Sequence, residues 1–130
     1  MAEGFEKLEV WQRAMDLTEL LHLQTRTFPK DEMFGLTSQL RRASSSIASN
    51  ITEGYGRVGK GDYIKHLGYA RGSACEVKTH ILTAMRVGYL QQNDSLLLTE
   101  RIHMMLDKLI HSLQAQQVRE PDSEYRTEDA

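Results

Sequence analysis

The sequence predicts an all-α fold, an antiparallel up-down-up-down bundle of four helices, on three observations. Apolar residues recur at steps of three and four along four separate stretches of the 130-residue chain. No window shows sustained alternation with period two, so a sheet has no support. Helix breakers are sparse: Pro29 and Pro121 lie outside the periodic stretches, and four of the nine glycines crowd into Gly54, Gly56, Gly59 and Gly61. Helices with one narrow apolar stripe are marginal alone, because nucleation is costly. Packing stripe against stripe supplies the missing stabilisation.

Val10, Ala14, Leu17, Leu21 and Phe28 share one face, with Glu9, Arg13, Asp16 and Glu19 on the others; this predicts a first helix that ends before Pro29. Leu36, Leu40, Ala43, Ile47 and Ile51 predict a second helix, which stops in the loop from Gly54 to Gly61. Tyr63, Leu67, Ala70, Ala74, Val77, Ile81 and Ala84 predict a third, with Asp62 as its N-cap and Gly88 as its stop. Leu98, Ile102, Met105, Leu109 and Leu113 predict a fourth after Asn93-Asp94-Ser95, giving way to polarity at Gln114. Residues 1–116 are thus assigned to the bundle. Residues 117–130, acidic and with almost nothing to bury, are assigned to a disordered tail.

At 14.9 kDa and 40% hydrophobic, the chain has the size and composition of one globular domain. Its longest apolar runs are far short of the roughly 20 residues of a membrane span, and its N-terminus lacks the basic start and apolar core of a signal peptide. A cytoplasmic location without membrane contact is the expectation. The single Cys75 excludes an internal disulfide and a cysteine-based zinc site. The net charge is −2, unevenly spread. Residues 36–90 carry eight bases against three acids, and both flanks are acidic. Such a basic island attracts phosphates or is an ordinary solvated face.

Motifs for catalysis are weak. Gly54-Tyr55-Gly56-Arg57-Val58-Gly59 matches G-x-G-x-x-G, but a helical stripe precedes it where a dinucleotide site needs a strand. A helix-to-helix turn displaying Arg57 and Lys60 fits better. Glu100 and His103 form one E-x-x-H, whereas a di-metal bundle centre needs two plus further glutamates. Ser44-Ser45-Ser46 and Cys75 lie within helices with no ordered base nearby. No enzyme, cofactor or metal is expected.

Gln39, Ser46, Asn50 and Glu53 lie along one edge of the second helix, and Ser73 and Glu76 have matching spacing on the third, where Gly68 and Gly72 allow close approach. These six residues hydrogen-bond between helices of one subunit, or form a subunit interface in which they pair with Arg41 or Arg42 of a neighbouring copy.

Leu8-x-Val10-Trp11-x-x-Ala14, Phe28-Pro29-Lys30-x-Glu32, Gly35-Leu36-Thr37-Ser38-Gln39-Leu40-Arg41-Arg42-Ala43, Ser46-Ile47-x-x-Asn50-Ile51-x-Glu53-Gly54 and Ala70-Arg71-Gly72-Ser73-x-x-Glu76 closely resemble the bacterial four-helix-bundle proteins encoded in intervening sequences of 23S ribosomal RNA genes, also labelled S23 ribosomal proteins. The likeness spans roughly residues 5–113. It implies a ring-shaped homopentamer. The resemblance extends to the accessory variability protein of diversity-generating retroelements, a basic pentamer, and so implies RNA or DNA and a reverse transcriptase or other protein as partners. A nucleic-acid accessory protein is the leading expectation, with Arg41, Arg42, Arg57, Lys60, Arg71 and Lys78 as candidate phosphate contacts and structured RNA as ligand. The alternative is a protein-assembly module with no nucleic acid. Against the first stands charge: five copies of this chain sum to about −10.

Overall fold

The computed structural model describes residues 4–119. A short 3-10 turn, Phe5–Lys7, leads into α1 (Glu9–Gln24), which continues as a second 3-10 turn, Thr25–Thr27. Phe28 is extended, as the ring of Pro29 demands of the residue before it. A third 3-10 turn, Lys30–Glu32, precedes α2 (Leu36–Tyr55); α3 (Lys60–Arg86) and α4 (Asp94–Arg119) follow. Each helix packs on its neighbours in sequence and α4 closes on α1, giving a four-helix bundle with no strand among the described residues.

The apolar stripes of the first three helices form the core. Val10, Ala14, Leu17 and Leu21 of α1, Leu40, Ala43, Ile47 and Ile51 of α2, and Leu67 to Ala84 at their periodic positions on α3 are buried. On α4 the buried line is rotated from the expected one. It runs Ser95, Thr99, Ile102, Leu106 and Ile110, while Leu98, Met105, Leu109 and Leu113 flank it half-buried. The two lines are adjacent on the helix, and the flanking residues still pack against the core. Thr99 is tolerated there because its hydroxyl donates to the Ser95 carbonyl one turn back, at 2.7 Å.

The helix ends also differ in detail from expectation. The N-cap of α3 is Gly59, and Asp62 lies inside the first turn, where a carboxylate complements the positive end of the helix. Gly54 is helical, the penultimate residue of α2. At the other end of α3, Gly88 takes φ +86°, with Gly88 N–H on the Met85 carbonyl and Tyr89 N–H on that of Ala84, a Schellman stop. α4 continues to Arg119, so residues 117–119, assigned above to the tail, are helical; the rest of that tail, 120–130, lies outside the described residues.

Two loops lock together at one end. The rings of Phe28 and Tyr89 pack at a tilt of 52° with centroids 5.4 Å apart, and the Tyr89 hydroxyl donates to Glu32 Oε2 at 3.0 Å. The other oxygen, Glu32 Oε1, accepts the backbone N–H of Leu36 and so caps α2. Among the described residues no helix is long and apolar enough to cross a membrane.

Candidate nucleic-acid and assembly surfaces

The six expected phosphate contacts do not form one patch. Lys60, Arg71 and Lys78 share one side of α3, as their spacing requires, and that side faces α4. Lys60 Nζ donates to Gln116 Oε1, Arg71 Nη1 meets Asp107 Oδ1 at 2.6 Å, and Lys78 Nζ lies 3.2 Å from Glu100 Oε2. The three contacts step down antiparallel helices in register, closing the α3–α4 seam. The Arg71 guanidinium, bonded to Asp107, holds that carboxyl below its usual pKa of 3.8.

Arg41 turns to α1, where Nε donates to Thr25 Oγ1 at 2.9 Å and Nη2 reaches the His22 carbonyl at 3.5 Å. It ties the α1 C-terminus to α2. Arg57, in the α2–α3 loop, lies 3.4 Å from Glu53, an exposed pair worth little. Arg42 has no ion pair or hydrogen bond among the described residues. Lys65, Lys108 and Arg119 are exposed and equally unpaired, and none of them stood out in the sequence. Lys60, bonded to Gln116, places the α2–α3 loop beside the α4 C-terminus. One end of the bundle thereby gathers Arg57, Lys60, Lys65 and Arg119.

Of the six expected interface residues, Ser46, Asn50 and Ser73 bond to one another. They form a polar ladder along the α2–α3 seam. The hydroxyls of Ser46 and Ser73 are 2.7 Å apart, and Asn50 Nδ2 donates to the Ser46 carbonyl at 2.8 Å and to its hydroxyl at 3.1 Å. Glu53 Oε1 is 3.8 Å from Nε2 of the buried His66, whose Nδ1 bonds the Asp62 carbonyl. At the far end Glu76 Oε2 lies 3.5 Å from His80 Nε2. Gln39, Arg42, Ala43, Ser46 and Glu76 line a shallow cavity of about 260 Å3. Ser46 and Ser73 thus bond across the two helices and Asn50 bonds back to Ser46 within α2, which leaves Gln39 and Glu76 facing outward.

The remaining motifs have structural explanations. No strand precedes the glycine-rich loop. A Cβ on Gly54 would stand 2.6 Å from that of His66, so this glycine serves α2–α3 packing. Glu100 is engaged by Lys78 and His103 by Asp107 at 3.5 Å; no cluster of three metal-ligating side chains occurs among the described residues. Ser44 Oγ donates to the Arg41 carbonyl, and Cys75 is an exposed free thiol.

The model of the family described as 23S rRNA-intervening sequence protein matches residues 6–111, most of the chain, taking in the first three helices and most of α4. The chain belongs to that family. Among solved structures it is similar to a protein of unknown function from the S23 ribosomal protein family of Bacteroides thetaiotaomicron, at 20% identity and a TM-score of 0.71. That match covers 78% of this chain and 97% of the other, and it supports the bundle fold. No curated protein matches. The α2–α3 ladder lies wholly within the matched span.

Proposed function

We propose that this member of the family is a non-enzymatic, homo-oligomeric accessory protein that binds structured nucleic acid, RNA in the first place. The observation that carries this reading is where the charge lies. The described body, residues 4–119, holds fifteen bases against twelve acids, a net of +3; the acid excess sits in Glu3 and in residues 120–130. The −2 of the whole chain therefore understates the bundle, and copies arranged side by side sum their positive bodies. The basic end with Arg57, Lys60, Lys65 and Arg119 is the contact surface. The α3–α4 bases are a poorer choice than the sequence suggests, because Arg71 and Lys78 already hold acids of α4.

Those same internal pairs favour the second reading, a protein-assembly module without nucleic acid. Native mass by light scattering across a salt series, with and without a structured ribosomal RNA fragment, decides between them. Under the first reading an oligomer, five-membered if the family resemblance holds, binds RNA with log affinity falling linearly in log salt, by about 0.9 per phosphate contact. Lys65→Glu with Arg119→Glu weakens binding at least tenfold and flattens that slope. An oligomer indifferent to RNA at low salt establishes the second reading.

A further inference from the structure

The 2.7 Å contact between Ser46 and Ser73 sets the register of α2 against the antiparallel α3. Arg42 lies one turn before Ser46, and Glu76 nearly one turn after Ser73, so the two stand at one level along the bundle. Both line the same shallow cavity, yet they do not pair. Arg42 has no partner among the described residues. Glu76 has only His80 at 3.5 Å, and that nitrogen, His80 Nε2, is buried with no hydrogen bond. Beside them on α3, Gly68 and Gly72 have nothing within 4 Å of where a Cβ would stand, so the surface is open to another backbone.

We infer that the α2–α3 face is where copies of this chain meet, with Arg42 of one copy closing on Glu76 of the partner subunit. This deepens the homo-oligomeric part of the proposed function and rests on it. The charge argument selects a second copy as the occupant. The face presents a base and an acid that do not pair within one copy, so a copy of itself supplies to each what it lacks. Because the two charges share a level, a symmetry axis running along the bundle keeps Arg42 of one copy at the height of Glu76 of the next. The glycines then let the helices approach closely enough for the side chains to reach.

The test is native mass by size-exclusion light scattering on the full chain and four variants, with circular dichroism to confirm the helical fold. Arg42→Glu and Glu76→Arg each raise the dissociation constant of the oligomer at least tenfold, and the double charge swap restores it. Gly72→Leu places its side chain in open space in the single chain, so helicity is kept while the oligomer is lost. Variants that all retain the wild-type mass overturn the inference and leave the homo-oligomer standing. A swap that fails to restore what the single changes lose overturns the Arg42–Glu76 pairing. A wild-type chain that stays monomeric at tens of micromolar overturns the homo-oligomeric reading, and the inference with it.

Discussion

Gly54 cannot carry a side chain without moving a helix. Besides His66, a Cβ there would meet Tyr63 Cδ1 and the Tyr63 carbonyl at 3.2 Å, and backbone does not yield cheaply. Overpacking costs about 1–3 kcal/mol, against the ~1 kcal/mol that alanine gains over glycine in a helix. Gly54→Ala is therefore expected to lower stability in urea by up to about 2 kcal/mol. Gly88→Ala should cost a similar amount for a different reason, the left-handed φ of +86°. Two titrations belong to the same scale. Burial, aided by the neighbouring Tyr55, pushes the Tyr63 hydroxyl up to about 12. A raised folded pKa means a contribution fully present below pH 10 and lost as pH climbs towards 12. The hydrogen bond to Glu32 also raises Tyr89, so in an ultraviolet titration Tyr63→Phe should shrink the late-ionising phase without abolishing it. Asp107 has the opposite sign: its depressed pKa gives a contribution present above pH 3.8 and lost as pH falls below it. Asp107→Asn should flatten the acid side of the stability curve.

At the scale of the elements, periodicity made α1, α2 and α3 legible because each turns a single stripe to one core. α4 was read less well, since its innermost line contains Ser95 and Thr99, which no hydrophobicity pattern marks. The α3–α4 seam was half legible. Lys60, Arg71 and Lys78 were visible as a face, but their partners Gln116, Asp107 and Glu100 belong to a helix whose register only packing fixes. That seam contributes to specificity more than to stability. The Arg71–Asp107 and Lys78–Glu100 pairs are more than a third exposed, so Arg71→Ala and Lys78→Ala should each cost about 0.2–1 kcal/mol. Ile47→Ala, on the fully buried stripe of α2, should cost about 2–5 kcal/mol. Chemical denaturation of the three variants side by side checks the ranking.

For the whole molecule, the primary structure alone determined the four-helix class, the loop positions and the family, because a 3.6-residue repeat and a short string of polar residues around it are local properties of the chain. It also located the α2–α3 polar ladder, since residues at steps of three, four and seven necessarily share a helix face. The state of each charge was decided by tertiary structure. Arg41, Arg71 and Lys78 look alike in sequence to Arg42 and Lys65, and they differ only in what the neighbouring helices place within 4 Å of them. Coulomb attraction and hydrogen bonding act over a few ångströms in space, and residues 36 apart in sequence, such as Arg71 and Asp107, become neighbours only when the helices dock.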